Sequence, residues 1–270
     1  MAKDDRRHPI ARKPVVLELP GMDRVVIRRD VRYRKDGHST MDLYFPPDRP
    51  YGEPTGAVLF VNGYPDAGAE RAIGCRAKEM ESFISWGRLV AASGMVGVLY
   101  TTASDPARDA RDVLQQVDLI ASSTGIDAER IAIWACSGHG PTALSLLMQP
   151  PIRDIIRCAV LSYSFLLDLD GSTAVAEASR TFGFVNPASG GIEDLPRETP
   201  LFVARAGRDE LPRLNETLDR FVTRGLQLNL PLTVVNHATG PHAFDVVHDS
   251  DVSRQVIAQM LAFLKFQLMR

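Results

Sequence analysis

The chain has 270 residues, of which 45% are hydrophobic and 24% charged, and its formal net charge is −2. These values are typical of a globular protein with a sizeable core, and they exclude the strongly basic surface that favours nucleic acid or an anionic membrane as a partner. Three scattered cysteines indicate no disulfide framework, and their spacing fits no metal site. We therefore expect a cytoplasmic protein without a metal, and no apolar run reaches the roughly 18 residues of a membrane span.

The N-terminal residues differ from the rest of the chain. The first thirteen residues carry five Lys or Arg and two acidic residues. We expect this short basic stretch to be a solvated terminus, and it lacks the apolar core of a signal peptide. The N-terminal arm is expected to span residues 1–22. Residues 23–270 are expected to form a single domain, because α/β folds often use this length as one unit.

Strand and helix patterns alternate after the arm. Residues 24–35 and 39–46 predict two strands, and the Asp-Gly pair between them predicts a hairpin. An unbroken apolar run over 57–61, stopped by Gly63 and Pro65, predicts a strand that is covered on both faces. Further strands are predicted over 95–101, 130–135, 155–164, 200–207 and 230–238, and helices over 80–94, 107–125, 142–148, 211–225 and from Val252 onward.

This alternation indicates the fold class. It predicts an α/β protein with a mostly parallel central sheet flanked by helices and an N-terminal antiparallel hairpin. Residues 165–198 show no clear period and are too many for a plain connection. We predict a short lid insertion or pocket wall there. Its apolar side chains are candidates for an acyl-binding surface: Phe165, Leu166, Leu167, Phe182 and Phe184.

Polar residues follow four of the predicted strands. They are Tyr64, Ser137, Asp209 and His242. Chemistry gathers at the carboxyl ends of the strands in open α/β sheets, so we expect these side chains to meet there. The chain order of serine, acid and histidine is typical of a nucleophilic serine held on a tight strand-to-helix turn, the nucleophile elbow.

These residue types suit nucleophilic catalysis. A serine hydroxyl is a weak nucleophile until a base removes its proton, which a histidine can do near neutral pH. A carboxylate then fixes the tautomer of the imidazole and stabilises its charged form. Ser137, His242 and Asp209 are therefore the candidate nucleophile, base and acid. The backbone N–H groups of Tyr64 and Gly138 are the candidate donors to the oxyanion that forms on the substrate.

Four segments together resemble the functional segments of the α/β-hydrolase superfamily. RIAIWACSGHG resembles the elbow of that superfamily, LFVNGYPD resembles the oxyanion loop, ARAGRDE resembles the turn that carries the acid, and GPHAF resembles the loop that carries the histidine. The leading hairpin with MDLYFP is similar to the dienelactone-hydrolase-like and acetyl-esterase-like branch, and the resemblance covers roughly residues 25–268. It implies an α/β-hydrolase fold and a serine hydrolase that cleaves small-molecule carboxylic esters or thioesters through an acyl-enzyme, without a cofactor. The oligomeric state stays open, and a homodimer through the hairpin edge is one arrangement.

The elbow departs from the G-x-S-x-G pattern at both glycines. Ala135 replaces the first, where any small side chain fits, whereas His139 replaces the second and must find room beside a tight turn. His139 is thus a candidate pocket group, or a side chain packed against the elbow. If it displaced the Gly138 amide, the chain would be a hydrolase-fold binding protein with impaired or absent catalysis. Asn62, in place of the usual histidine of the oxyanion loop, adds to that alternative.

Several neighbouring residues compete for these roles. Cys136 is a rival nucleophile, but that frame puts Trp134 where a small side chain is needed, so a buried or pocket-lining thiol is favoured. Asp66 is a candidate for the pocket mouth or for a helix N-cap, and Ser137 itself has an N-cap as its structural alternative. The alternatives to Asp209 and His242 are Glu210, Asp168, Asp170 and His237.

Overall fold

A computed structural model describes residues 7–48 and 53–269. Residues 1–6 of the predicted arm and residues 49–52 of the loop before the third strand lie outside the described residues. The strands are β1 (Val26–Arg32), β2 (Thr40–Phe45), β3 (Thr55–Phe60), β4 (Val96–Tyr100), β5 (Ile126–Ser137), β6 (Ile156–Ser164), β7 (Leu201–Ala206) and β8 (Leu232–His237). They form one sheet in the order β1-β2-β4-β3-β5-β6-β7-β8.

The pairing of the strands confirms the predicted architecture. β1 pairs antiparallel with β2, and β2 pairs antiparallel with β4. The remaining neighbours in the sheet are parallel. Since β3, β5, β7 and β8 run in the same direction, the segments that follow them meet at one edge of the sheet.

Helices cover both faces of this sheet. The α-helices of the described ranges are α1 (Asp66–Ile73), α2 (Glu81–Ala92), α3 (Pro106–Thr124), α4 (Gly140–Leu147), α5 (Ile152–Ile155), α6 (Ala174–Phe182), α7 (Leu214–Gln227), α8 (Phe244–Val247) and α9 (Asp251–Leu268). Val113, Leu144 and Phe221 of α3, α4 and α7 join the apolar cluster on one face. Trp86 and Met260 of α2 and α9 join the cluster on the other. None of the helices in these ranges combines the length and apolar character needed to cross a lipid bilayer.

The sequence does not predict the four helices α1, α5, α6 and α8. The expectation that residues 165–198 lack regular structure is wrong for α6. The first turn of α6 is capped from a distance, because the Asp168 carboxylate accepts hydrogen bonds from the N–H groups of Val175 and Ala176 at 2.8 and 2.9 Å. A cap so far upstream leaves no signature next to the helix, so a local pattern could not predict it.

The N-terminal arm packs onto the domain. Ala11 and Val15 are buried. The N–H of His8 donates to the carbonyl of Ile73 at 2.9 Å, and the N–H of Val16 donates to the carbonyl of Asp245 at 2.8 Å. The expectation of a solvated arm is therefore wrong at Ala11 and Val15, whereas His8, Pro9 and residues 12–14 are exposed.

Candidate active site

A sharp turn joins β5 to α4. Ser137, the last residue of β5, has φ +51°, in the left-handed region that non-glycine residues rarely adopt. Its carbonyl oxygen accepts hydrogen bonds from the Phe165 N–H and the Ser164 hydroxyl, each at 3.0 Å, and these hold the strained residue in place. A Cβ at Gly140 would lie 2.1 Å from the Phe165 carbonyl oxygen. Position 140, unlike position 139, therefore requires a glycine.

The structure brings Ser137, His242 and Asp209 into one chain of hydrogen bonds. Ser137 Oγ lies 3.0 Å from His242 Nε2, and His242 Nδ1 lies 2.7 Å from Asp209 Oδ2. Because a carboxylate only accepts, the imidazole carries its proton on Nδ1 and leaves Nε2 free to accept from the serine. The Asp209 side chain is fully buried, and its Oδ1 accepts a hydrogen bond from the Leu211 N–H at 2.9 Å. This anchoring fixes the orientation of the carboxylate.

Two of the rival residues for the acid and the base, Asp168 and His237, lie in other networks. The carboxylate of Asp168 caps α6. Nε2 of His237 lies 3.0 Å from the hydroxyl of Ser253, on α9. The geometry therefore brings Asp209 and His242, and not these alternatives, to Ser137.

The two candidate oxyanion donors differ in the structure. Within the described ranges, no residue accepts a hydrogen bond from the Gly138 N–H. The Tyr64 N–H, in contrast, donates to Oδ1 of Asn62 at 3.1 Å. The Tyr64 hydroxyl lies beside the elbow residue Gly138. A Cβ at Gly138 would lie 2.4 Å from that hydroxyl, so the phenol packs directly onto the elbow. The Tyr64 N–H therefore has an acceptor within the protein, whereas the Tyr64 hydroxyl lies next to the elbow.

His139 is tied to the loop after β3. Its Nδ1 accepts a hydrogen bond from the Gly63 N–H at 2.8 Å. Its ring contacts those of Tyr64 and Phe83, with centroids 5.0 and 5.6 Å apart. Burial lowers the pKa of His139 to about 3, so the imidazole is neutral and Nδ1 stays an acceptor. The side chain thus turns away from the Gly138 N–H instead of displacing it.

The thiol of Cys136 is buried at the end of β5 and lines the same cavity as Ser137. Burial raises the pKa of this thiol well above its ordinary value. The thiolate is the nucleophilic form of cysteine, so this environment opposes nucleophilic attack by Cys136.

Asp66 does not belong to the pocket. Its Oδ2 accepts a hydrogen bond from the Thr102 N–H at 2.9 Å, and its Oδ1 lies 3.2 Å from the Thr102 hydroxyl. Burial raises the pKa of this carboxyl to about 6. The expectation that Asp66 lines the pocket mouth is therefore wrong. The residue begins α1 and holds that helix against the loop after β4.

A cavity of about 700 Å³ opens above Ser137 and His242. Tyr64, Cys136 and His139 contribute to its floor, and its walls come from the N-terminal arm, α1, α2 and α6. Of the five apolar residues proposed for the acyl wall, Phe182 lines the cavity, while the other four pack in the core. Sequence reasoning missed most of the other lining residues, Ile10 and Tyr163 among them. Ile10 could not be predicted from the sequence, because it reaches the cavity only when the N-terminal arm packs beside the site.

No protein-family model matches the chain, and no curated protein matches it. Solved structures do match. A bacterial heroin esterase is 18% identical, with a TM-score of 0.64 and coverage of 94% of this chain and 87% of its own. A thermophilic esterase from the planctomycete Thermogutta terrifontis is 19% identical, with a TM-score of 0.65 and coverage of 93% and 94%. Esterase B from Lactobacillus rhamnosis is 14% identical, with a TM-score of 0.68 and coverage of 92% and 87%.

The chain has the α/β-hydrolase fold. In this α/β-hydrolase fold the elbow follows β5, the buried acid follows β7 and the histidine follows β8. The expected fold class is thus confirmed by the sheet order and by the similar structures.

Proposed function

We propose that this protein is a serine hydrolase that cleaves small-molecule carboxylic esters or thioesters through an acyl-enzyme. The observation that carries the proposal is the continuous chain from Ser137 through His242 to the buried Asp209, which opens on a cavity. The proposed reaction needs no resident cofactor, because a serine, a histidine and a carboxylate suffice for acyl transfer. The esterase names of the similar structures support the same reaction class.

The first half-reaction transfers the acyl group to the enzyme. Ser137 Oγ attacks the substrate carbonyl carbon while His242 Nε2 takes the hydroxyl proton. Asp209 stabilises the imidazolium that results. When the tetrahedral intermediate collapses, the bond to the alcohol or thiol breaks, and His242 returns the proton to that leaving group. The products of this step are the free alcohol or thiol and an ester of Ser137.

The second half-reaction releases the acid. A water molecule gives a proton to His242 Nε2 and attacks the acyl carbon, and the intermediate expels Ser137 Oγ, which regains the proton. In both halves the carbonyl oxygen becomes an oxyanion that needs donors. The Gly138 N–H and the Tyr64 hydroxyl are the proposed donors. Burial raises the pKa of Tyr64 to about 12, so this phenol keeps its proton at neutral pH.

The alternative of a binding protein without catalysis depended on His139 and Asn62. A histidine that displaced the Gly138 amide would leave the oxyanion hole incomplete. The hydrogen bond from the Gly63 N–H to His139 Nδ1 directs this side chain elsewhere and leaves the amide open. His139 therefore does not favour the alternative. The second feature, Asn62, accepts the hydrogen bond from the Tyr64 N–H, so the proposal depends on the Gly138 N–H and the Tyr64 hydroxyl as donors.

Hydrolysis of nitrophenyl acetate, nitrophenyl butyrate and an acetyl thioester by the purified protein tests the proposal. We expect turnover by the unmodified protein and a loss of at least about 10³-fold in Ser137→Ala, because removal of the nucleophile leaves only binding and oxyanion stabilisation. Ser122→Ala, which changes an exposed serine on α3, is the matched control and should keep full activity. Equal activity of Ser137→Ala and the control would refute the proposed nucleophile.

A further inference from the structure

A buried carboxylate outside the triad lies close to it. Asp245 is 1% exposed and follows His242 by three residues, in α8. Its Oδ2 accepts a hydrogen bond from Nε1–H of Trp86 at 2.7 Å, and its Oδ1 accepts one from the hydroxyl of Tyr163 at 2.6 Å. The two oxygens therefore join α2 and the end of β6 to the segment that carries the histidine.

Tyr163 connects this carboxylate to the candidate base. Its ring meets the imidazole of His242 edge to face, with centroids 5.0 Å apart and an interplanar angle of 71°. It packs in the same manner against Phe244, at 5.3 Å. The hydrogen bond to Asp245 thus holds a ring that in turn bounds one side of the imidazole.

The backbone on both sides of this contact is strained. Tyr163 has φ +36° and Ala243 has φ +55°, values that non-glycine residues rarely adopt. Such residues persist only where their surroundings fix them. The Asp245 side chain holds Tyr163. The backbone carbonyl oxygen of Asp245 accepts a hydrogen bond from the Val16 N–H at 2.8 Å, so the segment that carries His242 is also fixed to the N-terminal arm.

The orientation of the His242 imidazole needs this support. The bond to Asp209 fixes Nδ1 but leaves the ring free to rotate about that contact. Nε2 must stay within hydrogen-bond reach of Ser137, and a misplacement of about 1 Å can lower the rate roughly 10²-fold. An aromatic ring against the imidazole restricts the rotation.

We propose that Asp245 is a positioning residue, which holds Tyr163 against His242 and so keeps Nε2 directed at Ser137. The proposal rests on the proposed hydrolase function. It assigns to Asp245 no contact with substrate and no proton transfer.

Steady-state kinetics on Asp245→Asn and Tyr163→Phe test this role. Asparagine offers one side-chain acceptor where two donors point, and phenylalanine keeps the ring but loses the hydrogen bond. We expect each variant to lower kcat about tenfold with KM within about twofold, because the substrate site is kept and only the alignment of the base is lost. Since both changes break the same link, the double variant should be no slower than the slower single variant.

Asp42→Asn is the matched control. Asp42 is an equally buried carboxylate on β2 that accepts hydrogen bonds from the Asp30 N–H and from Lys78, away from the cavity. The Asp42→Asn variant should have a lower melting temperature but an unchanged kcat. The positioning role is overturned if Asp245→Asn and Tyr163→Phe keep kcat within about twofold, or if Asp42→Asn loses as much kcat as they do. If Asp245→Asn does not fold, the kcat of Tyr163→Phe alone tests the positioning role. An unmodified protein that hydrolyses no ester refutes the proposed function itself, which is a distinct result.

Discussion

His139 Nδ1 accepts a 2.8 Å hydrogen bond from the backbone N–H of Gly63, and this bond joins the elbow after β5 to the loop after β3. A glycine at position 139 has no side chain to accept this N–H, which is buried. The residue that departs from the elbow pattern therefore has a structural reason to be there. The two loops that would surround an oxyanion are held together by a side chain rather than by backbone contacts alone.

Loss of this bond should destabilise the protein. His139→Leu leaves the Gly63 N–H buried without an acceptor, which costs about 1–3 kcal/mol. His139→Gln keeps an acceptor and should lose less. Urea unfolding at pH 7.5 measures both free energies of unfolding. Equal stability of His139→Leu and the unmodified protein would show that the bond contributes nothing.

The same residue should make stability depend on pH. Burial lowers the pKa of His139 from 6.5 to about 3 in the folded protein. Below about pH 6.5 the unfolded chain binds a proton that the folded chain excludes. The stability associated with the neutral imidazole is therefore complete above about pH 6.5 and is lost progressively as the pH falls towards 3. Between pH 7 and pH 4.5, the free energy of unfolding should fall more for the unmodified protein than for His139→Gln. Parallel curves would contradict the neutral buried histidine.

The Tyr64 hydroxyl should contribute more to catalysis than the Tyr64 amide. Tyr64→Phe keeps the ring and the amide but removes the proposed donor, so we expect kcat to fall about 10²-fold with little change in KM. Tyr33→Phe, which removes a buried hydroxyl bonded to the Thr101 carbonyl, is the control and should retain kcat. If Tyr64→Phe keeps its kcat, the phenol is not an oxyanion donor.

The N-terminal arm should influence substrate size. Ile10 lines the cavity, so Ile10→Trp reduces the space above Ser137. We expect kcat/KM for nitrophenyl octanoate to fall more than kcat/KM for nitrophenyl acetate, because only the longer acyl chain needs that space. Leu119→Trp, on the exposed face of α3, should change neither value. A uniform loss for both esters in Ile10→Trp would argue against a role of the arm in the pocket.

Much of the fold can be predicted from the sequence because its strands are apolar runs and its longer helices are amphipathic. Each of the eight strands within the described residues corresponds to a predicted one, and α2, α3, α4, α7 and α9 do too. The four helices that the pattern misses are short, or like α6 are capped by a distant side chain. Hydrophobic periodicity needs several turns to become visible, so such elements leave little local signal.

The candidate site, too, has some features that the sequence predicts and others that it does not. Ser137, Asp209 and His242 can be placed from the sequence because each lies within a few residues of the end of a predicted strand, and parallel strands end at one edge. The bond from Gly63 to His139 joins residues 76 positions apart, so no local pattern contains it. The direction of the Tyr64 amide likewise depends on the Asn62 side chain. These features are tertiary and appear only when the chain is folded.

Covalent labelling with a fluorophosphonate tests the central claim, that Ser137 is the nucleophile, most directly. The folded protein should gain one label, and mass spectrometry should place it on the peptide that contains Ser137. Ser137→Ala should lose the label, and Cys136→Ala should keep it. A folded protein that takes up no label, or a label that survives Ser137→Ala and disappears in Cys136→Ala, would contradict the account.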